Sequence, residues 1–371
     1  MLSSVLDVFR LRQYFDAVTR ARQWADGVRE DAGLLGDMRR AFLPLPFDRA
    51  GPIGHPFPPA EPFELGSLGG RRVAVVATGG SGALASVVGV ARALEEAGVV
   101  PCAYSLCSGS ALFGFPLAAG IAAEEVAAFL LGLRPQDYVD PDWRRLATLV
   151  PTAARGFAGM LAGERIEATY RRLLGDTRLG ELAVPAYAPI WNVEENRVEY
   201  LGPRTHPELP VARAVRMAVA LPLFVAPVDL DGFSWCDGGI VDIFPVRPVL
   251  DIEAPPDVAL AVNGFYPPGF AGEDARGWQD RRASILYVAS QVRTCQQAEL
   301  ARVNLERLRQ ATEVVMIEPV PYEVVSGVGF YRQFLTVRDW AGFMESGRRA
   351  AREALAAHAR RRPPVRAATG R

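Results

Sequence analysis

Two short apolar runs decide most of what this chain can fold into. The first, "RRVAVVATGG", ends in glycines and passes into a stretch where Val87, Val90, Ala91 and Leu94 repeat at helical spacing as far as Gly98. The second, "VVPCAYSL", passes into "GSALFGFPLAAG", which also reads as a helix, with Pro116 expected to tighten or kink its early part. Strand, turn and helix thus recur within roughly fifty residues, and a helical crossover between consecutive strands makes the pair parallel and the crossover right-handed. The spacing predicts an α/β fold around a mostly parallel sheet.

Later segments extend the pattern. "VPAYAPIWN", "RVEYLG", "GFSWC", "VALAVN" and "EVVMIEP" read as strands, while "IEATYRRLLGD", "PVARAVRMAVA" and the segments 281–312 and 338–360 read as helices. Upstream, Val5, Val8, Phe9, Leu11, Phe15 and Val18 follow a helical period, for a helix that either docks on the main body or lies on a membrane surface. Residues 43–64 hold too much proline for regular structure. The expected organisation is an N-terminal helical segment (1–40), a proline-rich connector (41–70), a main domain (71–360) and a basic tail (361–371).

Charge narrows the partners. The 41 basic residues are all arginine, and they are scattered among 42 acidic ones rather than clustered, apart from Arg360, Arg361 and Arg362, so nucleic acid is not expected. Cys102, Cys107, Cys236 and Cys295 have neither zinc-site spacing nor the density of a disulfide framework, which predicts no metal and a reducing, cytoplasmic setting. The first twenty residues carry charges inside their apolar stretch and do not read as a signal peptide. No run reaches the ~18–20 apolar residues of a membrane span, and Glu124 and Glu125 interrupt the longest candidate. Any contact with lipid is therefore expected to be peripheral.

Three motifs carry chemistry. In "ATGGSGALASVVG" a glycine turn at a helix N-terminus leaves backbone N–H groups free for an oxyanion or a phosphate. As a dinucleotide fingerprint it fails, because Leu84 stands at the third glycine and no acidic residue follows at the needed distance. In "YSLCSGSALFG" a strand meets a sharp turn and a helix, the context of a nucleophile elbow. Ser108 sits where the strand should end and Ser110 in the first helical turn, and a serine there can equally be an N-cap. In "FSWCDGGIVDIFPV" a strand delivers Asp237 into a Gly-Gly turn, either to hold a functional carboxylate at the sheet edge or to form an Asx-turn. None of His55, His206 and His358 has the order and context of a Ser-Asp-His hydrolase, so an activated serine here needs a carboxylate as its base, and Asp237 is the candidate.

Glycine turn, serine elbow and Asp-Gly-Gly, in that order, resemble the patatin-like phospholipases, whose motifs are a G-G-G-x-x-G oxyanion loop, a G-x-S-x-G elbow and a D-G-G/A aspartate. "GVARALEEAGVVP", "AVRMAVALPLFVAPV" and "DGGIVDIFPV" extend the likeness over roughly residues 72–360. The resemblance implies a three-layer α/β/α fold and lipid acyl ester hydrolysis without a cofactor. It makes Ser108 the nucleophile, Asp237 its base, and Gly79, Gly80 and Ser81 the oxyanion hole. The sequence departs from the pattern at Leu106 and Ser110, which stand for the two elbow glycines, and at Ser81 and Leu84 in the loop. Of these, Leu106 is expected to be the hardest to fit, since strand and helix approach closely at an elbow.

Overall fold

The "VAVVA" run forms the central strand β1 (Val73–Ala77), buried on both faces. In this computed structural model, residues 71–148, 158–271 and 285–361 other than 327 are described, with short pieces at 29, 32–33, 35–39, 57–63, 68 and 70. The amphipathic stretch expected over 3–30, most of the proline-rich connector and the C-terminal tail lie outside the described residues.

The other strands are β2 (Ala103–Ser105), β3 (Gly159–Leu161), β4 (Ala186–Asn192), β5 (Arg197–Leu201), β6 (Leu223–Val225), β7 (Val228–Leu230), β8 (Phe233–Asp237), β9 (Val258–Val262) and β10 (Glu313–Ile317). The main sheet runs β10-β9-β1-β2-β4-β8-β7, with β5 also on β4. Strands β10 through β4 are mutually parallel, whereas β5, β8 and β7 add antiparallel pairs. Strands β3 and β6 form a separate parallel pair.

Alternation along β1 sorts the two cores, because successive side chains of a strand point to opposite faces. Val73, Val75 and Ala77 join a large apolar cluster on one face, and Ala74 and Val76 join a second cluster on the other. Helices α1 (Ser86–Glu96), α2 (Gly109–Ala118) and α3 (Ala123–Leu131) feed the first cluster, together with α4 (Glu164–Leu174), α5 (Val211–Ala218) and the last helix (Trp340–Arg361). The long helix α6 (Ile285–Ala311) supplies Ala301, Leu305 and Leu308 to the second. Helix α7 (Val328–Leu335) precedes the last helix, α8. Helices on both faces of a mostly parallel sheet make three α/β/α layers, in which inner strands read as unbroken apolar runs.

Pro116 lies inside α2 and has no N–H to give to Leu112 one turn back. The Tyr170 hydroxyl of α4 donates to that orphaned carbonyl at 2.8 Å, which keeps the buried group paired.

One strand edge is used twice. Strands β5 and β8 both pair with Ile190–Asn192, so they lie on opposite edges of β4. On β4, strand β2 pairs only with Ala186 and Tyr187, and the N–H groups of Tyr104 and Leu106 reach the carbonyls of Pro185 and Tyr187. Alternate residues of a strand address the same edge, and Val193 N–H, of the same parity, donates to Ser234 of β8 at 3.0 Å. β8 therefore enters the edge that β2 leaves. Ser105 stands opposite Tyr187 and Asp237 opposite Ile190, so the two strand ends converge over three positions of β4.

Candidate active site

Past β2 the chain turns sharply. Ser108 has φ 50° and ψ −121°, a backbone conformation that a residue with a side chain adopts only under tertiary constraint. The turn is fixed by Ser110, whose hydroxyl accepts from Cys107 N–H at 2.7 Å and donates to Cys107 carbonyl at 2.8 Å. Both of its bonds are internal and it is fully buried, so Ser110 braces the elbow while Ser108 lines a cavity. A Cβ on Gly109 would lie 2.3 Å from Gly80 carbonyl, and this contact seats the start of α2 on the glycine turn.

Leu106 fits, against expectation. Its side chain is fully buried and occupies the space beside Gly114, where an added Cβ would meet it at 2.5 Å. The room that an elbow usually makes with small residues on the strand side is provided here by a glycine one further turn along the helix.

Asp237 is 1% exposed. Its Oδ1 accepts Gly239 N–H at 2.8 Å, so the Gly-Gly turn caps one oxygen. Gly238 must be glycine, since a Cβ would sit 2.5 Å from the backbone of Pro189 on β4. Burial pushes the carboxyl up from about 3.8 to about 7, against the lowering influence of the Ser108 hydroxyl and then of the Gly239 amide. Oδ2 is buried and completes no well-aligned hydrogen bond. The Ser108 hydroxyl is therefore near enough to favour the charged form of this carboxyl, although it forms no hydrogen bond to Oδ2.

The glycine turn requires a correction. Gly79 N–H donates to Ile243 carbonyl at 2.8 Å, so this expected oxyanion donor is already engaged in holding the turn. Among the described residues no acceptor takes the N–H of Gly80, Ser81 or Gly109. The sequence alone does not single out Gly109, although the amide that follows the elbow residue is a regular donor in α/β-hydrolases.

Gly80, Ser81, Ser108 and Gly109 all border one cavity of about 280 Å³. Its remaining walls are apolar: Leu112, Val139, Met160 and Leu161; Val219, Leu221, Phe224 and Val225; and Phe330, Tyr331, Phe334 and Leu335 of α7, with Met38. The segment 113–160, read from sequence as apolar surface for either core or groove, divides: Phe113, Phe115, Val126 and Leu130 are core, and Val139 and Met160 face the cavity. Neither His206 nor His358 borders it. Among the described residues no group of three His, Cys, Asp or Glu side chains is placed to hold a metal ion, and no helix is long and apolar enough to cross a membrane.

Cys107 is fully buried, its sulfur against both Gly79 and Gly239, and burial pushes its thiol well above the usual range. Burial does the same, more mildly, to Cys236. Both belong with packing rather than with thiolate chemistry.

Residues 75–250 match the family model "Patatin-like phospholipase". Uncharacterized NTE family proteins of Mycobacterium bovis and Mycobacterium tuberculosis are 28% identical to this chain over 107 residues, which is 29% of this chain and 28% of theirs. Among solved structures, VipD from Legionella pneumophila is 15% identical with a TM-score of 0.42, over 78% of this chain and 67% of that one. Human GIVD cytosolic phospholipase A2 is 11% identical with a TM-score of 0.43, over 78% of this chain and 58% of that one.

Proposed function

Since residues 75–250 form a patatin-like phospholipase domain, we propose that the chain hydrolyses a fatty acyl ester, of a phospholipid or another lipid, through a Ser108–Asp237 dyad and an acyl-enzyme. The observation that carries this reading is the shared cavity: one apolar space bordered by a strained serine and three amides that find no acceptor among the described residues, beside a buried carboxyl.

In this mechanism Ser108 Oγ attacks the acyl carbonyl and its proton passes to Asp237 Oδ2. A carboxyl that ionises near 7 suits that task, because it is a stronger base than an ordinary aspartate and still deprotonated in part at neutral pH. The negative charge that develops on the carbonyl oxygen is met by the N–H groups of Gly80, Ser81 and Gly109, and each such donor is worth about 3 kcal/mol in the transition state. Gly79 takes no part beyond fixing the turn. The proton on Asp237 then goes to the leaving alcohol. Water activated by the same carboxylate releases the fatty acid, while the acyl chain stays against Leu112, Phe224 and the α7 wall.

Substrate would be met at a lipid surface, peripherally. Leu223, next to the cavity residue Phe224, is 67% exposed and holds φ 73°, and Leu35, one turn from Met38, is 65% exposed. Flotation with phosphatidylcholine vesicles measures this, and equal flotation of wild type and a Leu223→Ser, Leu35→Ser variant counts against it.

A fluorophosphonate probe tests the dyad reading. Wild type is labelled and hydrolyses p-nitrophenyl esters, Ser108→Ala does neither, and Ser110→Ala retains labelling. Folded wild-type protein that shows neither labelling nor hydrolysis refutes the reading.

A further inference from the structure

Helix α7 has two jobs on its two faces. Phe330, Tyr331, Phe334 and Leu335 line the cavity. Gln333, 3% exposed, faces the glycine turn instead: its Oε1 accepts the Ser81 hydroxyl at 3.1 Å. Gln333 is held firmly in turn, since its Nε2 donates to Val324 carbonyl at 2.5 Å and its own carbonyl accepts the Trp340 indole N–H at 2.8 Å. The same end of α7 is tied down further where the Tyr138 hydroxyl donates to Phe334 carbonyl at 2.7 Å. The Ser81 N–H, which has no acceptor among the described residues, therefore belongs to a residue whose side chain is bonded to the wall on which an acyl chain would lie. The serine stands where the resembled motif has glycine, so this hydroxyl is an addition to the motif.

We propose that Gln333 is a positioning residue: through Ser81 it joins the oxyanion turn to the chain-binding wall, so that an acyl chain long enough to press on α7 improves the aim of the Ser81 N–H. The proposal rests on the acyl-hydrolase reading above. Oxyanion donors act only when they point at the developing charge from about 3 Å, and small displacements there are expensive in rate. A short acyl group reaches Ser108 but leaves the aromatic wall uncovered. A long one covers Phe330, Tyr331 and Phe334 and pins the helix that carries Gln333. Chain length then appears in kcat, where transition-state contacts are felt, as well as in KM.

The test uses the full chain with p-nitrophenyl acetate and p-nitrophenyl decanoate, and reads the ratio of the two kcat values. Wild type favours decanoate. Gln333→Met and Ser81→Ala each lower the decanoate-to-acetate ratio about tenfold, and the double variant lowers it no further than either single change, since both break one link. Ser81→Ala removes a single oxygen, so its melting temperature shows whether a lost ratio reflects a damaged fold. A Ser81→Ala protein that melts like wild type and keeps the wild-type ratio overturns the proposal, as do losses that multiply in the double variant or appear in KM alone. Wild type that hydrolyses neither ester overturns the hydrolase reading, and this proposal with it; an active wild type with unchanged ratios in the variants overturns this proposal alone.

Discussion

Replacing Asp237 by Asn should stabilise the protein while abolishing its turnover, and the gain should grow with pH. The carboxyl ordinarily ionises near 3.8, and in the fold burial moves this to about 7. Below about pH 4 both folded and unfolded chains keep the proton, so the group has no effect on stability. As pH rises from there, the unfolded chain releases the proton and the folded one retains it, so stability falls until the folded group ionises too, near 7. Each tenfold difference in proton affinity corresponds to about 1.4 kcal/mol, so the full loss is on the order of 4 kcal/mol above neutrality. Asn carries no such penalty and keeps an oxygen for Gly239 N–H, whose bond to Asp237 is 2.8 Å. Urea unfolding of wild type and Asp237→Asn at about pH 4 and about pH 8.5 should show nearly equal stabilities at the first and a gap of a few kcal/mol in favour of Asn at the second. A gap that does not depend on pH, or an Asn variant less stable at the higher pH, refutes the claim that the fold holds an ionisable group against its solvation preference.

The pH profile of kcat/KM on a soluble ester should rise through about 7 as Asp237 loses its proton, and a profile already flat from about pH 5 upward excludes this carboxyl as the base. Ser110→Ala leaves the buried Cys107 N–H without its acceptor and should cost about 1–3 kcal/mol in denaturant unfolding, with probe labelling slowed but retained. Gly114→Ala, which in an open helix gains up to about 1 kcal/mol, should here destabilise by a similar amount or more, because the new methyl meets Leu106. Adding Leu106→Ala to it should cost less than the sum of the two single changes, and strict additivity in the melting data contradicts the packing described here.

Much of this architecture is legible in the residues because inner parallel strands must be apolar throughout and must end in turns. "RVAVVATGG", "VALAVN" and "EVVMIEP" announce β1, β9 and β10 for that reason. The three-residue strands β3, β6 and β7 carry no such signal, since a run that short is set by its neighbours rather than by its own pattern. In the site, Ser108 and Asp237 were marked by their turns, whereas the choice among the amides was not: whether Gly79 or Gly109 has an N–H to offer depends on where Ile243 carbonyl lies, and that is a tertiary fact. The compensation between Leu106 and Gly114 is hidden for the same reason. The cavity walls from Val219 to Val225 and along α7 look like any core in sequence, because an acyl chain and a neighbouring leucine ask for the same side chains.

The double use of β4 has a bearing on how the protein matures. Ser108 and Asp237 come from distant stretches of chain, and they are brought together only after β2 and β8 have each claimed their portion of one seam. A refolding chain can bury most of its apolar surface before that seam closes, yet the proposed dyad assembles only afterwards. Probe reactivity followed in time should therefore lag behind tryptophan fluorescence, and would clock the late, long-range step of assembly rather than the early collapse.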